Sequence, residues 1–291
     1  MKKRILLVGA LFATCPLSAA DFETRLDVEF ASPGGESLKL DAYLLREAGR
    51  HPAIIFVHGG GFVGGDKKEY PRDLLEPLME IGFSTFSINY RLSPKHPFPA
   101  ATDDVESAVR YLKQRAADFR IDPERLALLG PSAGGLLVSW AGAACRPENR
   151  VAAVVSMFGE HDLVLRAAED PCSVDGRAIP RPKGGCISGG LAAFLGFSEL
   201  TPENEPKLRQ ASAVTHVHRD MPPYLLIHGT RDFGVPFEQS VSMQEAMRNA
   251  GADSTLLPIV GGGHGGWNRP EMQHYRKELR DWLKAKLRVG A

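Results

Sequence analysis

The chain has 291 residues, of which 43% are hydrophobic, so it is long enough to bury one large core. Its 35 basic residues balance its 35 acidic residues, and a net charge of zero gives no electrostatic argument for nucleic-acid binding. The sequence contains no internal repeat and no low-complexity linker. We therefore predict a single domain that spans residues 21–291.

The first residues of the chain have the pattern of an export signal. Basic residues at 2–4 are followed by a short apolar run at 5–13 and by small residues that end at Ala20. This run is too short to anchor the protein in a membrane, because a transmembrane helix needs roughly 20 apolar residues. We expect residues 1–20 to be a signal peptide that is cleaved after Ala20, a periplasmic or secreted location, and no membrane partner.

Apolar runs alternate with segments of helical periodicity along the rest of the chain. The run at 53–57 lacks polar alternation, as expected of a strand buried on both faces. Alternating strands and helices favour an α/β fold in which helices cover both faces of a mostly parallel sheet. The predicted strands are 53–57, 83–88, 126–129, 151–158, 224–228 and 255–260, and the predicted helices include 101–119 and 236–250.

The most informative residue is Ser132. It has a glycine two positions before it and another two positions after it, and it lies between an apolar run at 126–129 and a small, apolar segment at 135–144. A serine in such a strand–turn–helix unit occupies a sharp turn that exposes its hydroxyl above the edge of the sheet. We interpret Ser132 as a nucleophile.

A serine nucleophile needs a base and an orienting acid. Asp232 follows the strand predicted at 224–228, and His264 lies among glycines after the strand predicted at 255–260. The chain order Ser132, Asp232, His264 is the order found in α/β-hydrolases, where each residue lies in a loop beyond the carboxyl end of a strand. We therefore predict that the three side chains form a catalytic triad.

Glycines at 59–61 follow the strand predicted at 53–57 and indicate a site for a negatively charged oxygen. Consecutive glycines allow backbone N–H groups to turn toward a carbonyl oxygen that gains charge, and one such donor is commonly worth about 10²–10³ in rate. We place the donors at Gly60, Gly61 and Ala133, the last being the residue after the nucleophile.

These motifs resemble the esterase/lipase branch of the α/β-hydrolases that carries a His-Gly-Gly-Gly loop. Within that branch the chain is most similar to bacterial esterases of the bifunctional feruloyl and acetyl-xylan type. Hormone-sensitive-lipase-like enzymes share several of the motifs, but they usually have an acidic residue where Pro131 stands and a larger N-terminal cap. The resemblance is carried by 58–62, 89–94, 96–100, 130–134, 222–230 and the loops of Asp232 and His264.

The resemblance implies the α/β-hydrolase fold and a serine carboxylesterase that acts through an acyl-enzyme, and the export signal adds that the enzyme is exported. We expect no metal or cofactor. The enzyme's expected substrates are short-acyl or hydroxycinnamoyl esters, on small molecules or on plant polysaccharide. Two other functions stay open. A serine exopeptidase of the prolyl-oligopeptidase type has a similar nucleophile turn, although it usually adds a large N-terminal propeller. A non-catalytic binding protein would be expected to lack a triad residue, and none is missing here.

The segment at 161–214 is the least regular part of the chain. It falls where this fold usually carries a lid, and a substrate-shaping lid or a plain surface excursion explains it equally well. Cys172 and Cys186 flank a stretch rich in glycine, proline and charge within it. In an exported protein we expect these two cysteines to form a disulfide; a metal site is the weaker alternative, because no histidine lies at ligand spacing from them.

Aromatic residues beside the oxyanion loop and the base are expected to contact substrate. These are Phe62 and Trp267, although core packing explains both almost as well. His228 ends a predicted strand and is interpreted as a packed structural residue. His161 is expected to be structural or to line the cleft, and Asp162 is the alternative acid to the one proposed for the triad.

Overall fold

After three initial strands, strands and helices alternate through most of the residues that the structure describes. A computed structural model describes residues 22–144, 147–169, 173–174, 177–178, 186–187 and 189–290. The expected signal peptide at 1–20 and Cys172 lie outside these residues. Within them, no helix combines the length and hydrophobicity that crossing a bilayer requires.

The described strands are ten in number and the described α-helices are eight. The strands are β1 (Phe22–Ala31), β2 (Leu38–Leu45), β3 (His51–Val57), β4 (Ser84–Ile88), β5 (Ile121–Pro131), β6 (Ala153–Met157), β7 (Ser173–Val174), β8 (Arg177–Ala178), β9 (Tyr224–Gly229) and β10 (Ser254–Ile259). The helices are α1 (Arg72–Met79), α2 (Ala100–Gln114), α3 (Ala133–Ala144), α4 (Leu163–Glu169), α5 (Gly189–Leu195), α6 (Glu205–Ala211), α7 (Glu238–Ala250) and α8 (Arg269–Leu287).

Eight of these strands form one sheet in the order β1-β2-β4-β3-β5-β6-β9-β10. The pairs β1–β2 and β2–β4 are antiparallel, and every other neighbouring pair is parallel. The predicted α/β class with a mostly parallel sheet is therefore confirmed. The two antiparallel strands at one edge were not predicted, because charged residues interrupt the apolar residues of both and neither forms a continuous apolar run.

The central strand β3 shows how the two hydrophobic layers are built. Ala53, Ile55 and Val57 pack on the side that carries α2 and α3, whereas Ile54 and Phe56 pack on the side that carries α1 and α8. Successive strand residues point to opposite faces, so a strand covered on both faces must be apolar at every position. The cores on both faces hold the loops at the carboxyl ends of the strands in place.

The turn between β5 and α3 requires glycine for steric reasons. A Cβ atom at Gly134 would overlap the carbonyl oxygen of Val57 at the end of β3, and a Cβ at Gly130 would overlap the carbonyl of Gly134. Ser132, between them, has φ of 53°, a left-handed conformation that is uncommon for residues other than glycine. The backbone of the turn therefore lies directly against the end of the neighbouring strand.

The segment at 161–214 contributes α4, α5 and α6 in its described part. Phe194 and Leu195 of α5 and Leu208 of α6 are fully buried, so these helices pack against the core. Phe194 stacks on Phe62 with ring centroids 4.3 Å apart. A Cβ at Gly190 would overlap the carbonyl oxygen of Gly61, which places the start of α5 directly on the glycine loop. That the segment acts as a lid stays a prediction.

Substitution of Gly134 tests the close approach of the turn to β3. Gly134→Ala is expected to lower the free energy of unfolding by about 1–3 kcal/mol, because the added methyl group forces two backbone segments apart. Helix propensity alone predicts the opposite sign, since alanine in a helix is favoured over glycine by about 1 kcal/mol. Chemical denaturation of the purified variants measures the difference.

The matched control is Gly64→Ala, because a Cβ there would meet only the carbonyl oxygen of Gly60, at 3.8 Å. Gly64 also lacks the positive φ that would strain an alanine. We expect a change within about 0.5 kcal/mol for this control. Equal stability of wild type and Gly134→Ala would contradict the packing described for the turn.

Candidate active site

The hydroxyl of Ser132 lies at the carboxyl end of β5, where the chain turns into α3. Its backbone N–H donates to the carbonyl of Met157 at 2.9 Å, which fixes the turn to the adjacent strand β6. The residue is half-buried, so its side chain is accessible from solvent. A strained serine at a strand-to-helix turn is the arrangement that presents a nucleophilic oxygen at the rim of the sheet.

The structure brings Ser132, His264 and Asp232 into contact in that order. Nε2 of His264 lies 2.9 Å from Oγ of Ser132, and Nδ1 of His264 lies 2.7 Å from Oδ2 of Asp232. A carboxylate only accepts hydrogen bonds, so Nδ1–H donates to it and Nε2 is left to accept the serine proton. The three residues that the sequence placed in separate loops are therefore linked by two hydrogen bonds.

Asp232 is buried and its carboxylate accepts several hydrogen bonds. Besides the contact with His264, its Oδ1 accepts from the backbone N–H groups of Gly234 and Val235 at 2.8 and 2.9 Å. Burial alone would raise the pKa of Asp232, but hydrogen bonds from His228 and His264 and from the backbone hold this pKa well below its usual value. The carboxylate is therefore ionised at neutral pH.

His228 is a second histidine on the same carboxylate, and the sequence analysis assigned it only a packing role. It is fully buried, and its Nε2 lies 3.3 Å from Oδ2 of Asp232 and 2.9 Å from the carbonyl of Val235. Its Nδ1 lies 2.7 Å from Oγ of Ser240. Since a carbonyl only accepts, Nε2 carries the proton and points at the Asp232 carboxylate. The only sequence signal for this contact was the spacing of four residues between His228 and Asp232. That spacing brings the two side chains together only if the chain turns between them.

The glycine loop lies immediately beside the serine turn. Gly60 and Gly61 have φ of 106° and 59°, and the carbonyl of Gly60 accepts from Gly64 at 3.1 Å, which closes the loop into a turn. A Cβ at Gly59 would lie 3.4 Å from Cβ of Ser132. Within the described part of the chain, no hydrogen-bond acceptor is paired with the N–H groups of Gly60, Gly61 and Ala133. These groups are therefore available to a ligand.

His58 and Tyr90 support the loop from beneath. The two rings stack with centroids 4.3 Å apart, and Nδ1 of buried His58 donates to the carbonyl of Gly59 at 2.7 Å. The hydroxyl of Tyr90 donates to the same carbonyl at 3.2 Å. Burial lowers the pKa of His58, so this ring stays neutral and acts as a structural donor.

The residues on either side of Tyr90 attach it to the rest of the domain. Oδ1 of Asn89 accepts from the backbone N–H of Lys67 at 2.6 Å. Arg91 forms a fork-shaped ion pair with buried Asp104 of α2, with Nη2 2.7 Å from Oδ1 and Nε 2.9 Å from Oδ2. Planar, two-point pairing of this kind fixes orientation as well as distance. The segment 89–91 thus holds the glycine loop rigidly.

A cavity of about 260 Å³ lies between the glycine loop and the loop that carries His264. Gly59 and Pro131, next to the serine turn, form one wall, and Trp267 and Phe158 form an apolar wall opposite. Trp267 donates its Nε1–H to the carbonyl of Gly263 at 3.0 Å, so the ring is held in place. The cavity adjoins the serine turn through Gly59 and Pro131, whereas Ser132 and His264 are not among the residues that line it.

The two aromatic residues predicted to contact substrate differ in their surroundings. Trp267 lines the 260 Å³ cavity and also packs on Tyr275. Its position is therefore compatible with substrate contact and with core packing. Phe62 is 2% exposed and stacks on Phe194, and it does not line this cavity. Phe62 therefore packs against α5, and its contact with substrate stays a prediction.

His161 and Asp162 have structural surroundings. His161 is fully buried, its Nε2 lies 3.4 Å from Oγ of Ser156, and burial lowers its pKa to about 3. The carboxylate of Asp162 accepts from Oγ of Ser242 in α7 and from the N–H of Leu165 in α4. Asp162 therefore joins two helices. The acid that pairs with His264 is Asp232.

No set of three or more His, Cys, Asp or Glu side chains within the described ranges is arranged to hold a metal ion. The described His and Asp residues at the site are instead paired with one another and with serine hydroxyls. The geometry is that of a proton relay.

The sheet order, the strained serine turn and the glycine loop define an α/β-hydrolase of the esterase branch. The chain belongs to the BD-FAE family, whose family model matches residues 40–247. The resemblance drawn from the sequence motifs is thereby confirmed.

Known relatives are esterases by name. Esterase LipC of Mycobacterium tuberculosis is 32% identical over 232 residues, which cover 74% of this chain and 53% of that protein. Esterase LipQ of the same organism is 29% identical, over 76% of this chain and 52% of that protein. The chain thus spans about half the length of the curated relatives it matches.

Solved structures are similar over nearly the whole chain. A truncated carbohydrate esterase from gut microbiota superimposes with a TM-score of 0.75 at 27% identity, covering 93% of this chain and 98% of that one. An acetyl ester-xyloside bifunctional hydrolase from Caldicellulosiruptor lactoaceticus gives a TM-score of 0.71 at 26% identity, covering 86% of this chain and 88% of that one. Both similarities support the α/β-hydrolase fold.

Proposed function

We propose that the protein is a serine carboxylesterase that acts through an acyl-enzyme intermediate. The observation that carries the proposal is the continuous hydrogen-bonded relay from Ser132 through His264 to Asp232, with contacts of 2.9 and 2.7 Å. Contacts within about 2.6–3.2 Å are those required of a nucleophile and its base. Membership of an esterase family supports the same reaction.

In the first half of the reaction, Oγ of Ser132 attacks the ester carbonyl carbon while its proton moves to Nε2 of His264. The N–H groups of Gly60, Gly61 and Ala133 donate to the oxygen that becomes negatively charged. Asp232 keeps the imidazole in the correct tautomer and stabilises the imidazolium that forms. The C–O bond to the alcohol then breaks, and the alcohol takes the proton from His264.

In the second half, a water molecule replaces the alcohol. His264 removes a proton from the water as the water oxygen attacks the acyl carbon, and the same N–H groups hold the second oxyanion. Collapse of this intermediate breaks the bond to Oγ of Ser132, which recovers its proton from His264. The products are a carboxylic acid and free enzyme, and the relay is restored to its starting protonation state.

The substrate class that we propose is short-acyl or hydroxycinnamoyl esters, including acetyl or feruloyl groups carried on plant polysaccharide. The 260 Å³ cavity beside the serine turn has room for one small acid or alcohol group, with the Trp267 ring on its apolar wall. The carbohydrate esterase and the acetyl ester-xyloside hydrolase among the similar structures support a saccharide ester. A serine exopeptidase is the alternative, since the same relay cleaves amides.

We also propose that the protein is exported and that a disulfide forms between Cys172 and Cys186. The sequence pattern of residues 1–20 supports export. The buried side chain of Cys186 takes part in a disulfide, which supports the pairing and an oxidising compartment. Such a disulfide would reduce the conformational entropy of the segment at 161–214 in the unfolded state.

Replacing the nucleophile tests the proposed reaction. Ser132→Ala is expected to lower the turnover of p-nitrophenyl acetate by at least about 10⁴-fold without unfolding the protein, because the relay then has no oxygen to activate. Wild type should be labelled by a fluorophosphonate at Ser132, and the variant should not. Circular dichroism confirms that the variant is folded.

A substrate panel separates esterase from peptidase. Acetylated xylan, methyl ferulate and p-nitrophenyl esters of increasing acyl length are compared with dipeptide p-nitroanilides. We expect the ester substrates to have the higher kcat/KM. Activity that survives in Ser132→Ala, or a preference for the anilides, would refute the proposed function.

His228 is expected to act as a positioning residue for Asp232. His228→Leu should lower kcat for p-nitrophenyl acetate by about tenfold or more with little change in KM, because one hydrogen bond to a buried carboxylate contributes about 1.5–3 kcal/mol. His228→Gln keeps an N–H donor and should recover part of the loss. Rates are expressed per fluorophosphonate-reactive site, so that misfolded protein is not counted.

A purely structural role for His228 predicts a different result. The fraction of reactive sites would then fall while kcat per site stayed at the wild-type value. Ser240→Ala serves as the control, because it removes the partner of Nδ1 without removing the donor to Asp232. We expect this control to have a kcat within a few-fold of wild type.

Export and the disulfide are tested on protein recovered from the periplasm or medium. Mass spectrometry is expected to show an N-terminus at Asp21, and a non-reducing tryptic map should show Cys172 and Cys186 in one linked peptide pair. A mature chain that begins at Met1 or Lys2 would contradict export. Two free thiols in the map would exclude the disulfide.

A further inference from the structure

A second cavity, of about 520 Å³, lies on the other side of the segment that borders the active-site cavity. It is formed by β1 and β2 at the antiparallel edge of the sheet, by the chain before α1, and by α1 itself. We refer to it as the edge groove. Its volume falls in the range of roughly 300–1,000 Å³ that is typical of ligand sites.

Aromatic side chains form part of the surface of the edge groove. The rings of Tyr43 and Tyr70 pack with centroids 4.3 Å apart at an angle of 34°, and Phe22 lies at the start of β1. The hydroxyl of Tyr70 is paired with Oγ1 of Thr85 at 2.8 Å, so this ring is fixed. Leu26 adds apolar surface and is 60% exposed. Rigid rings of this kind provide flat contact surfaces at low entropic cost.

Polar groups of both signs are fixed beside these rings. The side chain of Lys67 is 3% exposed, and its Nζ lies 2.7 Å from Oδ1 of Asp41 and 3.0 Å from Oδ1 of Asp27. Asp27 has φ of 55° in an irregularity of the β1–β2 pairing, and its N–H donates to Asp41 at 2.9 Å. Bulges in strands commonly re-aim a side chain next to a binding site. The Asp27 side chain remains 59% exposed toward solvent.

The charges of the edge groove nearly cancel. A ligand that carried a net charge would therefore gain little from the site as a whole. An uncharged ligand that both donates and accepts hydrogen bonds fits it better. The charged residues that line the groove are Asp27, Asp41, Glu76 and Glu80 on the acidic side and Lys67, Lys68 and Arg72 on the basic side.

One short segment separates the edge groove from the active-site cavity. Lys68, Tyr70 and Arg72 line the groove, whereas Glu69 and Asp73, between and beside them, line the 260 Å³ cavity that adjoins the serine turn at Gly59 and Pro131. The wall between the two cavities is thus a single stretch of chain. A ligand would have to extend across this segment to reach both cavities.

We propose that the edge groove binds a neutral oligosaccharide chain whose ester-bearing part lies at Ser132; the assignment of the ester rests on the proposed function. Sugar rings present an apolar C–H face and a rim of hydroxyls. The C–H face packs on Tyr43, and the hydroxyls donate to Asp27 and accept from Lys68. The groove therefore selects the polymer to which the ester is attached, separately from the ester itself.

The proposal is tested by binding, without turnover. Xylohexaose, which carries no ester, is titrated into full-length Ser132→Ala by isothermal calorimetry. We expect saturable binding that weakens at least tenfold in the Tyr43→Ala double variant. Tyr43→Phe should bind within about twofold of the parent, because its ring keeps the same face. Thermal denaturation shows that each variant is folded.

Tyr111→Ala is the matched control, since Tyr111 is a half-buried tyrosine of α2 that does not line the groove. It should bind xylohexaose as tightly as the parent. Equal binding by Tyr43→Ala would overturn the proposal. Binding of hexagalacturonate or of an uncharged hexapeptide in place of xylohexaose would also overturn it. Failure of these binding experiments would not contradict the proposed role of Ser132 as nucleophile, because that role is tested by the turnover of soluble esters.

Discussion

The close contact between the β5–α3 turn and the end of β3 is the constraint on which the site depends. Gly134 leaves room for the Val57 carbonyl, and Gly59 leaves room for the carbonyl of Pro131, the residue before Ser132. Because two backbone segments touch without intervening side chains, the serine and the glycine loop have a fixed separation. We propose that the oxygen of Ser132 and the N–H groups of Gly60, Gly61 and Ala133 act on the same carbonyl group, which requires this fixed separation. Close packing of backbone against backbone also explains why this turn tolerates the left-handed conformation of Ser132.

Electrostatics around Asp232 complement this steric constraint. A buried carboxylate is costly unless hydrogen bonds compensate for the lost water. Here two backbone N–H groups, His264 and His228 provide that compensation, and the pKa of the carboxylate falls as a result. A charge held in this way is ready to stabilise an imidazolium without reorganisation. His228 contributes to this preorganisation from the side that faces away from solvent.

The local motifs of the sequence predicted most of the catalytic geometry. The glycines around Ser132 and at 59–61 permit tight turns that depend only on residues nearby in the chain. The serine turn and the glycine loop could therefore be recognised from the sequence. The order of Asp232 and His264 then followed from the way parallel strands end at one edge of a sheet. In the structure Ser132, His264 and Asp232 are in hydrogen-bond contact, and their catalytic roles stay a proposal.

Contacts between distant segments were not predictable in the same way. Lys67 meets Asp41 across 26 positions of sequence, and Arg91 meets Asp104 through the packing of a helix on the sheet. Neither pair has a spacing that distinguishes it from solvated surface charges. The strands β1 and β2 escaped prediction because an edge of the sheet lacks the continuous apolar run of its centre. The edge groove, which those strands form, was therefore invisible in the sequence.

The packing of α5 on the glycine loop couples the insertion at 161–214 to that loop. Without this contact, the two segments could vary in sequence independently. Gly190 touches the carbonyl of Gly61, and Phe194 stacks on Phe62. Any new sequence in the helix must preserve a surface that presses on the loop, or the proposed donors move. Diversification of this insertion is thereby limited to its outer side, and a chimaera that exchanges the segment at 161–214 between homologues must carry its own matching loop.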